Sequence, residues 1–285
     1  TNTTLTFYSN TGDYNIAIGS YALDATTTGY SNVAIGMNAG TAIADGYLNT
    51  LMGHNAGAAI TSGARNTCIG YEAGDALDTT ADSVAIGAFA MTTETTSGGS
   101  VAVGNYALQD QNVAGANNVA VGYQSALNLT SGVDSVYVGY AAGGVGVITG
   151  ADNVAVGRSA AANATSMAQS VFIGGYAGGT GVITGANNTC VGYVAGQDLT
   201  SGYSNVLIGR SAGANLINNI SCVAIGHGAL DAAQEHEHYH VAIGTGALGT
   251  ENSNAIGCVA IGHNALEDQN RDASANTAIG HLALT

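Results

Sequence analysis

A short word, N-V-A-I-G-x-x-A as it stands at Asn32–Ala39, recurs through the whole chain. Its glycine returns at Gly19, Gly36, Gly53, Gly70, Gly87, Gly104, Gly122, Gly139, Gly157, Gly174, Gly192, Gly209, Gly226, Gly244, Gly262 and Gly280. Nine of the fifteen intervals are 17 residues and six are 18. Inside each word the apolar residues alternate with period 2, which is the strand period, and Gly, Thr and Asn are poor helix formers. A unit this short cannot bury its apolar side alone, so the copies must stack. The expected fold is all-β: a parallel β-solenoid, or β-roll, of about sixteen coils of 17–18 residues, spaced about 4.8 Å apart. Residues 1–14 read as a lead-in and 15–285 as one continuous repeat domain.

The columns of the repeat differ in chemistry. Three residues before the glycine every copy is β-branched, and one before it fifteen copies are Ile or Val, with Met52 as the exception. These two columns share parity and are read as the core. Three after the glycine fifteen copies are Ala, with Ser125 as the exception. Four before it nine copies are Asn and four are Ser, a column expected to form an amide ladder that satisfies the backbone of a corner. The glycine itself is expected where a Cβ would clash.

The column two before the glycine points the other way from the supposed core. Ten copies are Ala, the rest are Leu51, Cys68, Tyr137, Phe172, Cys190 and Leu207, and none is charged. An apolar stripe of that length exceeds what monomers expose. It is read as a chain–chain face, which makes the protein a homo-oligomer; the alternative is a strand buried on both sides within one wide coil.

Composition narrows the partners. The chain has 43 glycines, no proline and no tryptophan, and a net charge of −15 from nineteen acids against four arginines. Phosphate binding needs clustered Lys and Arg, so nucleic acid is not an expected partner. No apolar run is long enough for a membrane-spanning helix, so membrane insertion is not expected. Proline's absence suits an unbroken parallel ladder.

The word N-[ST/V]-V-A-I-G-x-x-A with its T-G turns resembles the head repeats of trimeric autotransporter adhesins, and equally the repeat regions of phage tail-fibre proteins. The resemblance covers about Asn15 to Thr285. It implies left-handed parallel β-rolls with three chains about one axis, and hence a homotrimer. It also implies an extracellular place, on a virion tail fibre or a bacterial surface, and attachment to a cell-surface glycan or protein receptor. The coils here are longer than those of adhesin heads, and no heptad stalk or membrane anchor is visible in the sequence. The last coil is incomplete and uncapped, which suggests a piece of a longer fibre chain or ends covered by neighbours. The expected function is therefore a structural and adhesive fibre. A homopolymeric extracellular filament is the alternative, and an ice-binding solenoid a second one, disfavoured by the mixed column at Thr28, Asp45 and Ser62.

Catalysis is not expected: the chain contains no nucleophile elbow, Walker loop, HExxH or EF-hand loop. The carboxylates Asp24, Asp45, Asp78, Asp110, Asp152 and Asp198 are spread over turns. Cys222 and Cys258 are two coils apart in the Asn column, too far at ladder spacing for a disulfide within one chain. The position after the glycine varies, and its Tyr71, Tyr123, Tyr140, Tyr193, His227 and His263 are candidates for receptor contact, tyrosine being a low-entropy amphipathic contact residue. The stretch Glu235–His240 reads EHEHYH. If three chains meet, His236, His238 and His240 are candidate ligands for a structural Fe, Ni or Zn ion between chains; no other cofactor is expected.

Overall fold

The computed structural model describes residues 12–95, 98–111, 116–231, 238–249, 256–267 and 275–284. Two compact units divide the chain, Thr1–Tyr140 and Ala141–Thr285. Every repeat contributes one three-residue strand. The first unit holds β1 (Ile16–Ile18) through β8 (Val136–Val138), and the second holds β9 (Val154–Val156) through β16 (Thr277–Ile279). Within each unit every strand pairs in parallel with its successor, in register column for column, as in Val33↔Thr50, Ala34↔Leu51 and Ile35↔Met52. The protein is a parallel β-solenoid, as the period requires.

The sides of the strand are the reverse of the expectation. The middle residue is the buried one, and the two flanking it are half-buried or exposed. Leu51, Cys68, Tyr137, Phe172, Cys190 and Leu207 are all fully buried inside their own coil and form no chain–chain face. Parity correctly groups the columns but does not say which group points inward. The inward column is mostly Ala, and the column three after the glycine, also mostly Ala, is buried with it. The β-branched residues, which favour an extended backbone, stand outside.

Core volume is balanced across the coil. Where the middle strand residue is large, the residue four after the repeat glycine is Gly: a Cβ on Gly57 would lie 2.7 Å from Leu51 Cδ2, and one on Gly178 would lie 2.6 Å from Phe172 Cε1. In six of the ten coils whose strand offers Ala, that position carries a buried Leu23, Met91, Leu108, Leu230, Leu248 or Leu266; Ala34, Ala120 and Ala155 are the exceptions, with Gly40, Ala126 and Ala161 there. The residue seven after the glycine follows suit. It is Ile43, Ile60, Leu77, Leu199 or Leu216 beside five of the seven glycines, with Gly146 and Gly181 beside Gly143 and Gly178, and it is Thr26, Glu94 or Gln111 beside Leu23, Met91 or Leu108.

Two backbone devices turn the chain. The repeat glycines all adopt φ between 131° and 142°, a region that L side chains rarely enter. Fourteen of the sixteen also lie against the next: a Cβ on Gly36 would sit 2.3 Å from the Gly53 carbonyl oxygen. At the other end of the strand the Asn column is buried and forms the expected ladder. Asn49 Nδ2 donates to Asn32 Oδ1 (3.0 Å) and to the Gly63 carbonyl, 14 residues on (2.9 Å), while Asn49 Oδ1 accepts from the Asn66 amide (3.0 Å). A buried amide with its donors and acceptor engaged in this way carries little desolvation penalty.

Candidate functional surfaces

With the small residues inside, the outer face of each strand is a double row of Val, Ile and Thr with no charged residue in either column. Met52, Ile173, Ile208 and Ile225 are between 37% and 41% exposed, and the other described members are half-buried or more exposed. Eight coils per unit, each offering two such side chains, leave an apolar strip larger than the few hundred Å² usual for a monomer. The sequence predicted an uncovered apolar face of this kind on the wrong columns.

Beside it, in the first unit, runs a row of six rings from consecutive coils. His54 and Tyr71 stack at 5.2 Å, Tyr71 meets Phe89 edge-on at 5.2 Å, and Phe89 stacks on Tyr106 at 5.2 Å. Tyr106 meets Tyr123 at 5.9 Å, and Tyr123 stacks on Tyr140 at 5.5 Å. Three of the candidates, Tyr71, Tyr123 and Tyr140, thus belong to one continuous strip and are exposed. Phe89 and Tyr106 were missed because they sit one position later in the repeat. Their backbones are left-handed, with φ 58° and 62°, and their rings meet those of the preceding column. The Tyr71 hydroxyl is pushed above its ordinary value by its hydrogen bond to Glu72 and that residue's charge.

The second unit has no such continuous row among its described residues. Tyr193 packs edge-on against Tyr176 at 6.2 Å, and Arg158 lies over the Tyr176 ring at 5.4 Å. His263 stacks on His281 at 5.1 Å, and His227 is exposed, near enough to Asp231 to lower that acid's affinity for its proton. Burial outweighs this, and the Asp231 carboxyl stays above the usual range.

Two of the three histidines of the EHEHYH stretch, His238 and His240, fall within the described residues. His240 occupies the Asn column and is fully buried, its Nδ1 accepting from the Cys258 amide at 3.2 Å as an Asn Oδ1 does elsewhere. It therefore points into its own coil and not toward a neighbouring chain, for the same reason that the inward columns were misassigned. His238 Nδ1 accepts from the Ile220 amide at 3.2 Å. His236 lies outside the described residues. Among the described residues no group of three or more His, Cys, Asp or Glu is arranged to hold a metal ion.

Two of the turn carboxylates bond to a turn of a neighbouring coil. Asp78 accepts from Thr61 Oγ1 at 2.5 Å, and Asp198 accepts from Thr180 Oγ1. Arg65 forms a two-pronged exposed pair with Asp82 at 2.5 and 2.8 Å, and its hydrogen bond holds Asp82 below the usual carboxylate range. Exposed pairs contribute little to stability.

All four cysteines are reduced and buried. Burial pushes the Cys68 thiol up to about 12 and raises Cys190 as well. The thiolate is the reactive form, so the native protein at pH 8 is expected to leave Cys68 and Cys190 unmodified by iodoacetamide while the urea-unfolded chain reacts at both. Peptide mass mapping reads this directly, and labelling of Cys68 at equal rates in the two states would contradict it.

The arrangement defines a parallel β-solenoid with one uncovered aliphatic face and one aromatic margin. No protein-family model, curated protein or solved structure matches the chain. Among the described residues no helix is long and apolar enough to cross a membrane.

Proposed function

We propose that the chain is the shaft or head of an extracellular fibre, a phage tail fibre or a bacterial trimeric adhesin, in which three copies cover one another's Val/Ile face. The observation that carries this reading is the strip of outward Val and Ile, uncharged in every coil of the repeat. Covering a strip of this kind removes apolar surface from water at about 25 cal/mol per Å², and a closed ring of identical chains covers it without leaving an open face. The aromatic strip from His54 to Tyr140 lies beyond that face and is the surface assigned to a glycan or protein receptor, tyrosine rings suiting such contacts.

Light scattering on the eluting protein tests this. Three times the chain mass of 28.0 kDa is expected, and Ile208→Lys together with Ile225→Lys should reduce it to one. A wild-type monomer at micromolar concentration removes the reading, and an open-ended series of masses replaces it with an end-to-end filament.

A further inference from the structure

Tyr30 and Tyr47 stand six residues before Gly36 and Gly53, in one column of successive coils of the first unit. Their carbonyls accept from the Leu48 and Arg65 amides at 3.1 and 3.0 Å. The backbone of one coil thus repeats that of the next at the ladder spacing of about 4.8 Å, and rings carried on it overlie with like edges together. Their centroids are 5.0 Å apart and their planes differ by 6°. The other tyrosine pairs among the described residues are wider or crossed. Tyr123 and Tyr140 lie at 5.5 Å and 15°, Tyr106 and Tyr123 at 5.9 Å and 84°, and Tyr176 and Tyr193 at 6.2 Å and 89°.

The pair is fixed on one side and open on another. Arg65, on the following coil, donates from Nη1 to the Tyr47 hydroxyl at 3.2 Å, and its guanidinium lies 5.9 Å from the centre of that ring. Asp82 holds the guanidinium in turn, at 2.5 and 2.8 Å. A guanidinium has donors and no acceptor, so it positions the hydroxyl without competing for its proton. Tyr30 is 44% exposed and Tyr47 half-buried. A one-electron oxidant reaches such rings from solvent, and water takes the protons they lose.

Phenols stacked in this way are set for oxidative coupling. The chain offers little other chemistry for a covalent link at its surface: all four cysteines are reduced and buried, and there is no lysine.

We propose that Tyr30 and Tyr47 form an oxidative cross-linking site, at which a haem peroxidase using hydrogen peroxide joins the two side chains as dityrosine. Each phenol gives up one electron and one proton. The two radicals join through the ring carbons next to their hydroxyls. The hydrogens on those carbons then move to the oxygens, which restores both phenols. Peroxide accepts the two electrons and two protons and leaves as two molecules of water. The new carbon–carbon bond spans one 17-residue interval and fastens the coil of β2 to that of β3. It restricts the unfolded chain as a disulfide over such a loop does. The step needs one chain and an oxidant, so it holds whether or not three chains associate.

The test treats the intact protein at micromolar concentration with a haem peroxidase and one equivalent of hydrogen peroxide. Dityrosine fluorescence should appear while the chain keeps its single mass on a denaturing gel. Cleavage at aspartates, Asp45 lying between the two tyrosines, should release their peptides linked and two hydrogens lighter than their sum. Tyr47→Phe keeps the ring, lacks the hydroxyl and should remove that linked pair. Tyr203 is 46% exposed, but its column neighbours are Ala186 and Ile220, and it should stay uncoupled within the chain. The proposal is overturned by no link at Tyr30 and Tyr47, by links only between chains, by an equal yield from the urea-unfolded chain, or by an equal yield at Tyr203.

Discussion

Replacing Gly53 by alanine should destabilise the first unit by about 4 kcal/mol, although it adds only one methyl group. The backbone there has φ 142°, outside the regions open to L residues, and the strain of entering it is about 1–3 kcal/mol. The added Cβ would also lie 2.2 Å from the Gly70 carbonyl oxygen and 2.7 Å from its carbon. That obstacle is backbone belonging to the next coil, and no rotamer change can move it. Urea unfolding at fixed protein concentration measures the loss. The control is Gly228, at φ 61° with no atom within 4 Å of a built Cβ, two residues after its repeat glycine. In the same column Asn38, Asn55 and Asn264 adopt φ of 58°, 56° and 50°, so Gly228→Asn should change stability by less than about 0.5 kcal/mol. A loss below about 1 kcal/mol for Gly53→Ala would show that the corner can relax and that the glycine column is not what sets it.

The second large effect is a compensation. Phe172→Ala empties a core position and should cost about 3–5 kcal/mol. Gly178→Leu inserts a side chain where a Cβ alone would meet Phe172 Cε1 at 2.6 Å and Ile183 Cδ1 at 2.7 Å; overpacking of this kind costs about 1–3 kcal/mol. Together the two changes recreate the pairing of an Ala strand with Leu at the turn that Ala102 and Leu108 already show. Leu is tolerated in that turn, with φ of 49° at Leu108 and 54° at Leu230 against 57° at Gly178. The space left by the phenyl ring also receives the displaced tip of Ile183. The double variant should therefore lose at least about 2 kcal/mol less than the sum of the single ones. Strict additivity would mean that the two positions do not share a volume.

This compensation also marks the limit of what the sequence made legible. The period, the number of strands, the glycine corner and the Asn ladder all follow from column chemistry that has one physical solution. The inward side of the strand does not, because alternation says only which columns share a side. The cue used, that Val and Ile belong inside, fails here, where the inward column is mostly Ala. A better cue lay in the size balance between the middle strand residue and the residue four after the glycine. Leu51 goes with Gly57, Cys68 with Gly74, Phe172 with Gly178 and Leu207 with Gly213, whereas Ala85 goes with Met91 and Ala242 with Leu248. Residues that trade volume must share a space, and that space is the core. The aromatic strip was half legible for a different reason. Its members come from two adjacent columns, and only the left-handed backbone at Phe89 and Tyr106 brings the second column into line with the first.

The Asn ladder has a consequence for coil length. Each described clamp runs from Asn Nδ2 to the carbonyl 14 residues ahead, at Asn15, Asn32, Asn49, Asn66, Asn118, Asn153, Asn188 and Asn205. All eight of those asparagines open an interval of 17 residues. The six intervals of 18 open instead with Ser100, Ser135, Ser170, Cys222, His240 or Cys258, and Ser83 is the single non-Asn residue that opens an interval of 17. The carboxamide therefore works as a gauge. Where its arm spans the corner the contour is held to one size, and where a different side chain stands the loop beyond has slack for one more residue. Insertions in this protein have a permitted address, the arc after a coil that lacks its asparagine, and that address can be read from a single letter four places before the glycine.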